Sequence, residues 1–113
     1  MASLINIGTY NLHGFNNGQN LLPTLCEVVD ILVVQEHWLA PYNLYKFTDF
    51  HNDFQGFAWS ALADKLKTGL LVGRPFGGLG LLIRKSLNSS IKIVGIMDNC
   101  RCVALHACVS IWL

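Results

Sequence analysis

The chain has 113 residues, of which 52% are hydrophobic and 13% are charged, and its formal net charge is +1. This length supports one small domain, and so high an apolar content excludes a disordered segment. The small net charge excludes the strong basic field that drives nonspecific binding to nucleic acid.

No segment of the sequence satisfies the requirements of a membrane span or of a secretory signal. The two most apolar stretches, 70–83 and 103–113, are broken by polar residues, proline or glycine, or are too short for the roughly 20 residues that a spanning helix needs. The N-terminus has no basic region followed by a long apolar core. We therefore expect an intracellular protein without a membrane segment.

The four cysteines contain no CxxC pair; they are Cys26, Cys100, Cys102 and Cys108. Free thiols in an intracellular protein are the favoured interpretation, and a zinc site or a disulfide framework are the alternatives.

The first 36 residues have the pattern of a strand, a helix and a second strand. Residues 4–10 are rich in β-forming side chains, and apolar residues then recur at helical spacing between 21 and 29. The run ILVVQ at 31–35 is typical of a strand that is buried on both faces. A connection through a helix makes two such strands parallel.

The start of this helix has two interpretations. Asn20 is one candidate cap, and Pro23 then lies in the first turn, where its missing N–H group costs nothing. A capping box from Thr24 to Glu27 is the other candidate, and it would begin the helix four residues later.

The rest of the chain predicts a short helix or a loop over the sheet, followed by four strands. The helix or loop covers 41–50, the strands cover 54–62, 77–84, 91–97 and 101–112, and a loop and two turns cover 65–76, 87–90 and 98–99. Strands joined by turns of this kind form hairpins, so the second half is expected to be antiparallel. No repeat, low-complexity segment or domain boundary is visible.

Asn11 and Glu36 directly follow the first two predicted strands. The carboxyl ends of parallel strands meet at one edge of an open α/β sheet, which is where such sheets bind ligands. A carboxylate at the end of a buried strand is costly unless its charge is compensated. Glu36 therefore either belongs to a binding site or begins a solvated loop.

Three stretches resemble the endonuclease/exonuclease/phosphatase superfamily. They are TYNLHGF at 9–15, DILVVQEHWL at 30–39 and GRPFGGLGLLIRKSL at 73–87. They occur in the family order, and the resemblance covers essentially the whole chain. The chain resembles the apurinic-type endonuclease domain of non-LTR retrotransposons more than a sphingomyelinase or an inositol phosphatase.

The resemblance implies a four-layer α/β sandwich that cleaves phosphodiesters, here in DNA, with a divalent cation that is usually Mg²⁺. It assigns Asn11 and Glu36 to the metal side of the site, with Glu36 as the direct ligand. One carboxylate and a neighbouring amide are a typical protein contribution to Mg²⁺, which keeps several of its waters. His13 stands where many family members carry an acidic or amide residue. It is a candidate to contact phosphate or to orient Glu36, and a plain loop histidine is the alternative.

Other motifs of the family are missing. The sequence contains neither Gly-Asp-x-Asn nor Asp-His, and it ends where the family tyrosine should follow. We therefore expect residues 1–113 to be the truncated N-terminal part of a retroelement endonuclease domain, inactive alone for want of its acid–base groups. Because its last strand is apolar, the fragment is expected to self-associate. A non-catalytic scaffold or binding domain that reuses the half-fold is one alternative, and a complete small hydrolase with a different site is another.

The remaining candidate features have structural interpretations. The glycines at 73, 77, 78 and 80 match no phosphate-binding loop and predict a bend that leads into a tightly packed strand. Trp38 is expected to pack beneath the site rather than to stack on a base. Three histidines are expected to be structural: His37, His51 and His106. Four basic residues are expected on solvated surface, with nucleic-acid backbone contacts as the alternative: Arg74, Arg84, Lys85 and Arg101.

Overall fold

A mixed β-sheet with short helices on one face forms the centre of the fold. The computed structural model describes residues 5–61, 77–97 and 102–107. The strands are β1 Ile7–Asn11, β2 Ile31–Gln35, β3 Phe54–Trp59, β4 Leu79–Arg84, β5 Ile91–Met97 and β6 Cys102–Ala107. The α-helices are α1 Phe15–Gly18, α2 Leu22–Val28 and α3 Tyr45–Thr48, and 3₁₀ turns occupy Gln19–Leu21, Pro41–Asn43 and Lys85–Ser90.

The sheet has four strands in the order β1-β2-β4-β3. β1 and β2 are parallel, whereas β4 is antiparallel both to β2 and to β3. β5 and β6 form a separate two-stranded antiparallel sheet. The predicted α/β class, with a parallel βαβ start and antiparallel strands after it, is therefore confirmed.

Apolar side chains are buried on both faces of the four-stranded sheet. On the face that carries the helices, Leu32 and Val34 pack with Leu22 and Cys26 of α2 and with Phe47 of α3. On the opposite face, the buried residues are Ile31, Leu81 and Ile83, and Ile93 of β5 packs against them. Burial on both faces explains why ILVVQ is a continuous apolar run instead of an alternating one.

The start of α2 differs from both sequence interpretations. The residue before the helix is Leu21, and no side chain caps it, so neither the Asn20 cap nor the capping box is formed. The 3₁₀ turn at Gln19–Leu21 runs directly into the helix, and the Leu22 N–H group donates to the Gln19 carbonyl. The backbone of the 3₁₀ turn thus accepts the hydrogen bond of an N–H group at the start of α2, where a side-chain cap was expected. Pro23 does lie in the first turn, as predicted.

Arg84 is a structural residue, so the expectation that it lies on solvated surface is wrong. Its Nε donates to Asp30 Oδ1 at 3.0 Å, and its Nη2 donates to the carbonyls of Cys26 and Val29 at 2.9 and 2.8 Å. Its guanidinium also lies 4.7 Å from the centre of the Phe54 ring. It therefore joins the end of β4 to the last turn of α2, whose carbonyls have no helical partner.

Several other predictions are answered by the described residues. The region 41–50 forms a 3₁₀ turn and α3, and β5 has the predicted bounds. Lys85 is exposed. Cys26 is a buried free thiol whose pKa is raised by burial. Some predictions concern residues or side chains that the structure does not describe. These are the predictions for 65–76, 98–99, 108–112, Arg74, Arg101, the other three cysteines and the His106 side chain.

None of the helices in the described ranges combines the length and the apolar character that crossing a bilayer requires.

Candidate functional site

The carboxyl ends of β1 and β2 lie side by side. Asn11 is opposite Gln35 as the last pair of the parallel ladder, and the Leu12 N–H group then donates to the Gln35 carbonyl at 2.9 Å. Gln35 also donates from Nε2 to Thr9 Oγ1 at 2.6 Å. Asn11 ends β1 and Glu36 follows β2, so the two residues lie at the carboxyl ends of adjacent parallel strands, as the sequence predicts.

The Glu36 carboxylate is held by two neutral N–H donors. Its Oε2 accepts from Trp38 Nε1 at 2.7 Å and from the Gly77 backbone N–H at 2.9 Å. Its Oε1 takes no hydrogen bond from any residue in the described ranges. One oxygen of Glu36 is thus fixed by the protein.

Residues 36–38 connect two loops through their backbone. On one side, the N–H groups of Gly14 and Phe15 donate to the carbonyls of Glu36 and His37, at 2.8 and 2.9 Å. On the other side, the N–H groups of Glu36 and Trp38 donate to the carbonyls of Gly78 and Gly77, at 2.9 and 3.0 Å. The loop after β1 and the entry to β4 are therefore held together by the segment that carries Glu36.

Backbone strain is concentrated at this edge. Three non-glycine residues of the described chain have positive φ angles, namely His13 at 50°, Glu36 at 59° and Trp38 at 60°. The glycines with positive φ in the same ranges are Gly14, Gly77 and Gly78. Left-handed conformations cost free energy for residues with a Cβ atom, and they persist where the surrounding structure enforces them, often at functional sites.

His37 is a structural residue, as predicted. The side chain is fully buried, its Nδ1 accepts from the Leu39 N–H group at 2.9 Å, and its Nε2 lies 2.9 Å from the Trp59 carbonyl. Because Nδ1 accepts, Nε2 carries the proton and donates to Trp59. Burial lowers the pKa of His37, so the ring is held in its neutral form. His51 is structural as well: its Nδ1 accepts from the Asp53 N–H group and its ring packs edge-on against Phe54.

His13 and Trp38 pack against each other beside the carboxylate. Their ring centroids are 5.0 Å apart. The backbone N–H group of His13 donates to Asn11 Oδ1 at 2.9 Å. A Cβ atom at Gly14 would lie 2.6 Å from Trp38 Cε3, so the absence of a side chain there allows the indole to pack closely. His13 thus touches the residue that holds Glu36, and within the described ranges it makes no hydrogen bond to Glu36 itself.

Oxygen atoms of two side chains, Asn11 and Glu36, lie at this edge of the sheet. No group of three or more His, Cys, Asp or Glu side chains that could hold a metal ion occurs among the residues described. Among the described residues, Glu36 Oε1 and Asn11 Oδ1, which also accepts from the His13 backbone N–H group, are oxygens that could hold a cation. Mg²⁺ sites in proteins commonly combine one or two protein oxygens with several waters.

A cleft of about 340 Å³ lies next to this edge, on the side of the helices. Its lining includes Phe15, Asn16, Asn17, Trp38, Asn43 and Lys46. The sequence motifs gave no role to Asn16, Asn17 or Lys46. The one available signal was the density of asparagines after β1, which is equally typical of turns.

Comparison with known proteins identifies no relative. The chain matches no protein-family model, no curated protein and no solved structure.

Proposed function

We propose that this chain carries the metal-binding half of a Mg²⁺-dependent phosphodiesterase site. The parent would be a retroelement DNA endonuclease of the endonuclease/exonuclease/phosphatase type, with the present sheet as part of its four-layer sandwich. The observation that carries the proposal is the arrangement of Asn11 and Glu36 at the ends of adjacent parallel strands, with Glu36 Oε1 not hydrogen-bonded by the described residues.

Each site residue has a defined task in this proposal. Glu36 and Asn11 would hold the cation, which would supply charge neutralisation at a phosphodiester. Trp38 and Gly77 fix Glu36 Oε2, so that the carboxylate cannot rotate freely and Oε1 stays available. The His13 ring packs against Trp38, and in this proposal it would contact a phosphate that approaches the cation from the Trp38 side.

The 113 residues are proposed to bind the cation without cleaving DNA. The sequence has no Asp-His pair and no Gly-Asp-x-Asn motif, which in this family activate water and stabilise the reacting phosphate. A chain that only binds the metal lacks general acid–base catalysis, which typically raises the rate of the chemical step by about 10²–10⁴-fold.

Mn²⁺ titration of the ¹⁵N-labelled chain tests the metal site, because a bound paramagnetic ion broadens the signals of nearby nuclei. The Asn11 side-chain amide and the Trp38 indole N–H should broaden at low Mn²⁺ concentration, and Glu36→Gln should remove the effect. The matched control is Glu27→Gln, since Glu27 is an exposed glutamate on α2. Equal loss in both variants, or no selective broadening, would refute the site.

A nicking assay tests the second half of the proposal. Supercoiled DNA and an abasic duplex, incubated with the chain and Mg²⁺, should show no cleavage above background. Cleavage that disappears in Glu36→Ala would show that the residues present suffice for catalysis.

One observation favours a non-catalytic scaffold as the second candidate. Glu36 Oε2 is already satisfied by two protein donors, so the carboxylate has a structural role whether or not a cation binds. A scaffold predicts that Glu36→Gln lowers the free energy of unfolding and that Mn²⁺ broadens no signal selectively in the wild-type chain.

A further inference from the structure

His37 is a buried residue that lies between two residues with left-handed backbone. The φ angles of Glu36 and Trp38 are 59° and 60°, and the His37 side chain between them is fully buried. A left-handed conformation is unfavourable for a residue with a Cβ atom, so the surrounding structure has to hold it. The hydrogen bond from the Trp38 N–H group to the Gly77 carbonyl constrains the peptide before Trp38, but not the peptide after it.

The imidazole of His37 holds the peptide that follows Trp38. Its Nδ1 accepts from the Leu39 N–H group at 2.9 Å. This hydrogen bond closes a ring that contains both backbone dihedrals of Trp38, as the side chain of an asparagine or an aspartate does in an Asx-turn. A side chain that only filled the same volume would leave this peptide without that constraint.

The His37 ring is itself held in one orientation. Its Nε2 lies 2.9 Å from the Trp59 carbonyl, to which it donates, and the Phe47 ring is stacked on it with a centroid distance of 6.5 Å. A Cβ atom at Gly78 would lie 2.7 Å from Nδ1, so the backbone of Gly78 packs closely against the imidazole. These contacts keep Nδ1 directed at the Leu39 N–H group.

The backbone of Trp38 determines where its indole lies, and the indole N–H group donates to Glu36 Oε2 at 2.7 Å. We propose that His37 is a positioning residue: its Nδ1 holds the backbone of Trp38, and the Trp38 indole then orients the Glu36 carboxylate. This role differs from filling the core, because it depends on one hydrogen-bond acceptor. The inference goes beyond the proposed function, since it applies whether or not a cation binds.

Substitution of His37 by each of two amides separates its two hydrogen bonds. His37→Asn keeps an acceptor near the position of Nδ1, whereas His37→Gln places its amide near Nε2 and keeps the donor to Trp59. The readout is the Trp38 indole N–H signal of the full ¹⁵N-labelled chain in EDTA. This signal should keep its chemical shift in His37→Asn. In His37→Gln it should move, and its hydrogen exchange should become at least about tenfold faster relative to the core amides of β2.

The matched control is Ile83→Ala, because Ile83 is buried on the opposite face of the sheet, near the end of β4. It should destabilise the fold and leave the indole signal in place. An unchanged indole signal in His37→Gln, equal changes in both amide variants, or an equal change in Ile83→Ala would overturn the inference. The spread of amide signals shows whether each variant is folded.

A measurement on the wild-type chain tests the hydrogen bond without any substitution. A scalar coupling between the Leu39 amide nitrogen and His37 Nδ1 should be detectable across the hydrogen bond. Its absence would overturn the inference even if a variant fails to fold.

Mn²⁺ titration keeps this inference apart from the proposed function. Where the wild type binds Mn²⁺, His37→Gln should weaken binding by about tenfold or more, and His37→Asn should retain it. Unchanged binding in His37→Gln would show that His37 does not orient Glu36. A wild type that binds no Mn²⁺ would refute the metal site, and the indole signals would still decide the role of His37.

Discussion

At the scale of single residues, charged side chains are compensated by backbone groups as much as by opposite charges. Glu36 Oε2 accepts from an indole and a backbone N–H group, and Asp30 Oδ2 accepts from the Asn6 N–H group at 3.0 Å. Asp30 also pairs with Arg84 at 3.0 Å. The hydrogen bond from Asn6 and then the contact with Arg84 lower the pKa of Asp30.

This lowered pKa predicts a loss of stability in acid. A carboxyl group whose pKa is lower in the folded state stabilises the fold above its unfolded pKa of about 3.9, and the contribution is lost as pH falls through the folded pKa. We expect the wild type to exceed Asp30→Asn in free energy of unfolding at pH 7, and the difference to shrink progressively below about pH 4.

Urea unfolding at pH 7, 4 and 3 measures this difference. Asp49→Asn is the control, because Asp49 is exposed and forms no ion pair with the other described residues. A difference between wild type and Asp30→Asn that stays constant with pH would contradict the assignment.

At the scale of elements, the site is built where three segments meet. Residues 36–38 hydrogen-bond to the loop after β1 and to Gly77 and Gly78 before β4. Gly78 has φ of 99°, and a Cβ atom there would overlap the buried imidazole of His37. His37 in turn hydrogen-bonds to Trp59 at the end of β3. Two factors therefore fix the entry to β4: the left-handed backbone conformation of its glycines and the packing of Gly78 against His37.

Two glycine substitutions separate these effects. Gly77→Ala meets a positive φ of 92° and one atom at 3.0 Å, so it should destabilise by about 1–2 kcal/mol. Gly78→Ala adds the overlap with His37, and we expect a loss above about 3 kcal/mol. Chemical denaturation of both variants measures the two losses, and equal losses would show that the His37 contact has no energetic weight.

At the scale of the whole molecule, the described sheet has an edge strand without a charged residue. β1 is the outermost strand next to β2, and its Ile7 side chain is 67% exposed. The free N–H and C=O groups of an edge strand can pair with the same strand of another molecule, particularly where no charged residue interrupts it. We therefore propose that the chain self-associates through β1.

Light scattering coupled to size-exclusion chromatography tests this proposal. Ile7→Lys should lower the apparent mass, because a lysine on an edge strand opposes strand pairing. Val28→Lys is the matched control, since Val28 is 63% exposed but lies on α2. A monomeric wild type, or an equal effect of both substitutions, would exclude association through β1.

The sequence by itself determined the features that depend on local pattern. The apolar run 31–35, the helical spacing before it and the β-rich segment after the N-terminus predicted a parallel pair with Asn11 and Glu36 at one edge, and the structure has that pair. Periodicity is sufficient here because a strand–helix–strand unit of this length has a single favoured handedness and direction.

Only the tertiary structure decided which groups surround the site. The partner of Glu36 at Gly77 is 41 positions away in the chain, and the carbonyl of Cys26 is 58 positions from Arg84. The cleft likewise combines the loop after β1 with Lys46 of α3. No local pattern specifies such contacts, because they arise when β4 enters the sheet between β2 and β3, with its start beside the end of β2 and its end beside the start of β2.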